Sequence, residues 1–187
     1  MFMKKLIICI LALFVIKNTT AQDKFFTKSG RISFDATSPK SPENIEGMNK
    51  TVTCVLDTKT GNLQMAVLMK AFEFDRALMQ EHFNENYVES NKFPKTEFRG
   101  AIVAGTVVNY GKDGVYLVKV KGKLTMHGQT KEVEAEGKLT VKAGKIQVQS
   151  VFSEQLADYG VTIPQLVADK VAKTAKITVD CLLDPLK

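Results

Sequence analysis

Few side chains in this sequence are equipped for chemistry. Its 187 residues hold two histidines, His82 and His127, and three cysteines. The patterns H-E-x-x-H, C-x-x-C, G-x-S-x-G and the phosphate loop are all absent, which removes the common zinc-protease, redox, hydrolase and nucleotide-binding signatures. There is no basic run and no aromatic-plus-arginine platform, so no nucleic-acid partner is expected. There is also no apolar run long enough for a membrane-spanning helix. The longest, Leu6 to Ile16, falls well short of the roughly 20 residues a bilayer requires.

That short run has another reading. Lys4 and Lys5 precede it and the small residues Thr19-Thr20-Ala21 follow it, which is the layout of an export signal cleaved after Ala21. Cys9 lies inside the run, the wrong place for a lipid-modified mature N-terminus. The expected organisation is therefore a signal peptide over residues 1–21 and one domain over residues 22–187, periplasmic or secreted. The formal net charge of +6 loses Lys4, Lys5 and Lys17 with the leader and falls to about +3.

What the chain does have is alternation of apolar and polar residues at the strand period. Tyr116, Val118, Val120, Gly122 and Leu124 alternate with Leu117, Lys119, Lys121 and Lys123. Val133, Ala135, Gly137, Leu139 and Val141 alternate with Glu132, Glu134, Glu136, Lys138 and Thr140. Ile146, Val148, Ser150 and Phe152 mark a further strand, and Ile177, Val179 and Cys181 the last. Earlier strands show at Ile32 and Phe34, at Val52, Cys54 and Leu56, at Leu63 to Met69, and at Phe98 to Ala104. One wet and one buried face per strand is the antiparallel pattern. Clusters such as Asp57 to Gly61, Asn109 to Gly114, His127-Gly128-Gln129 and Ala143-Gly144 supply turns. The expected fold is all-β, an eight-stranded antiparallel up-and-down lipocalin-like barrel.

Two segments break the alternation. Asp75 to Tyr87 reads as a helix with Asp75 as N-cap, and Pro164 opens a second short helix bearing Leu166, Val167 and Val171. Both are apolar enough to lie across a barrel mouth. Gly122, Ala135, Gly137 and Ser150 are small residues on inward faces, where a solid barrel would place bulk, so the interior is expected to hold a ligand. The stripe Met65, Met69, Phe72, Phe74, Leu78, Met79 and Phe83 offers an adaptable apolar wall, and each methylene it buries contributes about 0.8 kcal/mol.

Cys54 and Cys181 fall on inward faces of strands two apart in a closed meander. A strand spacing of about 4.8 Å puts their α-carbons roughly 9–10 Å apart, where a disulfide needs less than about 7 Å. Free buried thiols are favoured over a bridge. Glu81, His82 and Glu85 share a helical face, but a third-ligand pattern is missing and no metal site is expected. His127 is read as stabilising its turn.

Several stretches resemble the YceI-like family: Glu81 to Ser90 with Lys92 to Gly100, then Gly122-Lys123-Leu124-Thr125-Met126-His127-Gly128-Gln129-Thr130, then Asp158-Tyr159-Gly160-Val161-Thr162-Ile163-Pro164. The resemblance runs from about Gln22 to the C-terminus. It implies a lipocalin-like barrel that binds polyisoprenoid or other long-chain lipid, carries no catalytic residue, and leaves a homodimer open. With the stripe above, it implies a ligand lining of Met65, Val67, Met69, Phe72, Phe74, Leu78, Phe83, Phe93, Phe98, Tyr116, Val118, Phe152, Tyr159 and Ile163. The expected function is non-enzymatic binding or transport of a polyisoprenoid, isoprenoid quinone or fatty acyl derivative, with no resident cofactor and only transient membrane contact for ligand exchange. Two rivals stand: a metal- or heme-dependent enzyme using His82 or His127, and a solid interaction module with no cavity.

Overall fold

The computed structural model describes residues 23–186; the proposed leader and its cleavage site lie outside them. Nine strands form: β1 (Lys24–Thr37), β2 (Glu46–Asp57), β3 (Asn62–Leu68), β4 (Phe72–Glu73), β5 (Lys95–Ile102), β6 (Gly114–Met126), β7 (Gln129–Lys142), β8 (Lys145–Gln155) and β9 (Val171–Pro185). Eight of them pair in chain order, β1-β2-β3-β5-β6-β7-β8-β9, and β9 pairs back onto β1. Every pairing is antiparallel, and the result is a closed meander. β4 is a two-residue addition held against Met48 and Asn49 of β2.

The alternating pattern sets this register. Val118 faces Gly137 and Val120 faces Ala135 across β6–β7, while Lys119 faces Glu136 and Lys121 faces Glu134 on the outside. Lys119 and Glu134 also form an ion pair at 3.1 Å on the diagonal. Such exposed pairs contribute under about 1 kcal/mol each, but a charged outer face does not suit lipid contact. Among the described residues no helix is long and apolar enough to cross a membrane. Two tight turns put both central residues at positive φ: His127 and Gly128 at 49° and 75°, Ala143 and Gly144 at 50° and 72°. That geometry follows the right-handed strand twist and lets β6–β7 and β7–β8 pair to their ends.

The loops divide between the two ends of the barrel. One end carries the short turns Thr58–Gly61 and Ala143–Gly144. The other carries residues 38–45, residues 69–94 and residues 156–170, and these close over the barrel mouth. The helix expected over 75–87 is α1 (Ala77–His82) followed by one wider helical turn (Phe83–Tyr87). The expected cap is corrected: Arg76, not Asp75, takes the N-cap position, in extended conformation and without a side-chain cap bond. Met69 likewise leaves the third strand for a 3-10 turn, Met69–Ala71. Pro164 precedes a single 3-10 turn, Gln165–Val167.

The interior is packed unevenly. From the middle of the barrel to the short-turn end, Val52, Cys54, Leu56, Ile146, Cys181 and Leu183 have no exposed surface at all. Towards the looped end the inward residues Ile32, Phe34, Met65, Phe98, Val120, Phe152 and Ile177 are only partly buried, although they face the barrel axis.

Candidate functional site: an apolar cavity under a helical lid

That partial burial has a cause: the side chains face empty space. A cavity of about 440 Å³ opens at the looped end of the barrel and runs down to Leu56 and Leu63, near the Thr58–Gly61 turn. This lies within the roughly 300–1,000 Å³ typical of small-molecule sites, and it rules out a solid interior. Its floor is Leu56, Leu63, Leu139 and Val148. Its walls include Ile32, Met65, Val67, Phe98, Val118, Val120, Ile177 and Val179. Ala135, Gly137 and Ser150 line one side, and their small side chains leave the space open, as the sequence suggested.

Gly122 is the exception and corrects that expectation. A Cβ at Gly122 would lie 2.5 Å from the carbonyl oxygen of Arg99 and 2.8 Å from the Phe98 ring; one at Gly100, its partner on β5, would lie 2.5 Å from that ring. The two glycines let β5 and β6 approach closely while the ring of Phe98 covers them. The volume they release is filled by a neighbour and is not left to a ligand.

Over the mouth sits the lid formed by α1 and the turn after it. Phe83 projects from it onto Phe34 of β1, with ring centroids 5.2 Å apart and planes 16° from parallel. Phe72 meets Phe34 edge-on at 5.5 Å and Phe74 meets it at 5.7 Å, so four aromatic rings hold the lid to the barrel wall. Aromatic pairs of this kind contribute about 0.5–1.5 kcal/mol beyond their buried area. The cavity reaches solvent beside Pro42, Glu43, Arg76, Leu78 and Lys170. There Arg76 Nη1 lies 2.6 Å from Glu43 Oε2, an exposed ion pair across the opening.

Ten of the fourteen residues expected to line the site border this cavity: Met65, Val67, Met69, Phe72, Phe74, Leu78, Phe83, Phe98, Val118 and Phe152. Four do not. Phe93 packs edge-on against the His127 ring, centroids 4.6 Å apart. Tyr116 sits at the opposite end, where its hydroxyl donates to the Lys112 carbonyl at 3.0 Å. Tyr159 is fully buried, with its hydroxyl donating to Glu154 Oε2 at 3.1 Å. Ile163 lies half-buried in the loop before Pro164 and away from the cavity wall. Phe34, Ile177 and Val179 also line the cavity; their alternation marks them as inward strand positions but carries no sign of a ligand. The mouth residues Glu43, Arg76 and Lys170 lie in loops, where no period marks them.

Several polar groups near the site are engaged. His127 Nε2 is 2.8 Å from Glu89 Oε2 and its Nδ1 is 3.0 Å from the Tyr159 carbonyl. The His-Gly turn thus ties the loop after the lid to the loop after β8, a larger role than stabilising its own turn. Burial raises the Glu154 carboxyl above its ordinary range, and the bond from Tyr159 offsets part of that. Burial, with the nearby Glu154 carboxylate, pushes the Tyr159 hydroxyl strongly upward. Among the described residues no three His, Cys, Asp or Glu side chains gather as a metal site.

A closed eight-strand meander, hollow at one end and roofed by a short helix, defines a lipocalin-like barrel with an internal cavity. The chain belongs to the YceI-like family: the family model, a YceI-like domain, matches residues 12–182. Among solved structures it is similar to a polyisoprenoid-binding domain from Saccharophagus degradans (TM-score 0.73, 14% identity, covering 88% of this chain and 99% of that one). It is similar also to BcnA of Burkholderia cenocepacia (TM-score 0.66, 17% identity, 82% and 95% covered). The YceI protein of Campylobacter jejuni gives a TM-score of 0.56 at 14% identity, with 75% and 85% covered. Comparison with curated protein sequences returned no match. At these identities the structural likeness establishes the fold alone.

Proposed function

We propose that this protein is a non-enzymatic carrier that holds one long-chain apolar molecule, a polyisoprenoid, isoprenoid quinone or fatty acyl derivative, in the cavity beneath α1. The observation that carries the reading is the cavity itself: about 440 Å³ of unfilled space walled by aliphatic, aromatic and methionine side chains. Water gains few hydrogen bonds there, whereas each methylene of a bound chain contributes about 0.8 kcal/mol. The Saccharophagus degradans neighbour is described as polyisoprenoid-binding, which supports the same ligand class. The carrier reading requires no resident cofactor and no catalytic group. Both ring nitrogens of His127 are occupied, and His82 lies at the exposed rim.

Export by the proposed leader would put the carrier in the periplasm or outside the cell, with membrane contact only during loading and release. Native mass spectrometry and lipid extraction of the purified protein test the central claim. One long-chain lipid per chain is expected. Recovery of none, together with no uptake of added polyprenol or quinone, would end the proposal.

A further inference from the structure

β1 is irregular near its middle. Its register against β2 shifts on either side of Gly30, and its pairing with β9 lapses between Phe26 and Arg31. This is a bulge in the seam where the barrel closes, and bulges tighten local twist. One result is that α-carbons of β2 and β9, which are not neighbours in the sheet, come within 8 Å of one another. The second result is specific to Gly30. Cys181 Sγ lies over it, 2.5 Å from where a Cβ would stand, and the carbonyl oxygen of Val52 lies 3.1 Å from the same point. Any side chain at residue 30 would occupy the space the Cys181 sulfur uses.

Cys54 comes from the other side of that gap. Both cysteines are free, and neither has exposed surface. The two thiols are near enough for each to perturb the other's titration. Both thiols are free, as expected, while a bulge and a missing side chain bring their strands closer than regular spacing would.

We infer that Cys54 and Cys181 are a disulfide-forming pair, joined through the gap over Gly30 when the chain meets a small-molecule or protein disulfide oxidant. The Cys181 thiolate attacks one sulfur of the oxidant, forms a mixed disulfide and releases the first thiol. Cys54, losing its proton, then attacks the Cys181 sulfur and releases the second thiol. Two protein thiols become one disulfide, and the oxidant leaves reduced as two thiols. Since both sulfurs are enclosed in the finished barrel, the exchange belongs to folding or to transient opening of the β1–β9 seam. The bond joins the second strand to the last, one of the longest sequence separations in the fold and hence one of the costliest loops to close.

Refolding the reduced chain with oxidised glutathione tests the inference, read by intact mass and by peptide mapping without reductant. The expected product has lost two hydrogens and yields one cross-linked peptide holding Cys54 and Cys181, with Cys9, where still present, outside it. Its thermal midpoint should lie above that of the same sample after reduction. Recovery of folded protein in which both thiols still alkylate after unfolding, or in which a glutathione adduct persists at either, would overturn it. Gly30→Ala supplies the second arm. Pairing should fall sharply, because the new Cβ displaces the Cys181 sulfur; undiminished pairing would refute the route over Gly30. Should Gly30→Ala fail to fold, the wild-type map alone decides.

Discussion

Phe34 and Phe83 stack nearly parallel, one on the first strand of the barrel and the other on the lid, with their ring centroids 5.2 Å apart. The contact spans the mouth, so it couples lid position to the barrel wall. Phe83→Ala deletes a ring that also touches Phe72 and Phe74. A loss of about 3 kcal/mol is expected, the lower part of the range for a buried phenylalanine. Bound lipid should exchange faster. Denaturant unfolding and a lipid off-rate measured on the same sample check both; unchanged exchange would show that the lid does not gate the cavity.

Val118 tests which way β6 faces. It is buried on the cavity wall opposite Gly137. An arginine there would place an unpaired charge among aliphatic side chains, at a cost of several kcal/mol. Val118→Arg should unfold, or fold without cargo. A stable, fully loaded variant would mean the strand had been read from the wrong side.

Filling the cavity separates a carrier from a barrel whose void is incidental. Ala135 lies on the wall facing Val120. Ala135→Phe should keep or raise the thermal midpoint while lowering the lipid recovered per chain. Loss of folding without loss of binding in the surviving fraction would contradict the cavity assignment.

His127 bonds Glu89 and the Tyr159 carbonyl and packs on Phe93. His127→Ala leaves a buried carbonyl and a loop carboxylate without that partner. A loss of about 1–3 kcal/mol is expected, with hydrogen exchange rising in both loops together. Protection lost in only one of them would show that the ring does not tie them.

Glu154 gives a pH signature. Burial raises its carboxyl in the folded protein, so the fold binds a proton more readily than the unfolded chain does. The stabilising effect of that proton is full below the unfolded value and is lost as pH rises through the folded one. Glu154→Gln retains an acceptor for the Tyr159 hydroxyl and removes the titration. The variant's thermal midpoint relative to wild type should therefore be most favourable near neutral pH and decline on acidification. A difference that does not vary between pH 4 and 7 would count against this assignment.

Much of this architecture was readable one strand at a time. In β6 and β7 the small and large residues already alternated in sequence, and the observed pairs Val118–Gly137 and Val120–Ala135 follow from that alternation. What period two does not encode is the neighbour across the sheet. Gly122 has the inward parity of a cavity position, but the Phe98 ring lies over it. Phe93, Tyr159 and Ile163 sit in loops, where family likeness indicated residues but no period indicated direction. Tyr116 has the inward parity of its strand but stands at the end away from the cavity, and parity says nothing of height along the axis. The meeting of Cys54 with Cys181 depends on a bulge in a third strand, which neither cysteine's own neighbours announce.

The fully enclosed set of Leu56, Ile146 and Leu183 at the base of the cavity has a thermodynamic consequence. It acts as the base of a cup. Cohesion is concentrated there, so the rim need not be filled for the vessel to keep its shape. The empty protein should therefore persist as a folded species between one cargo and the next, and emptying it should cost the lipid its shelter without costing the barrel its structure.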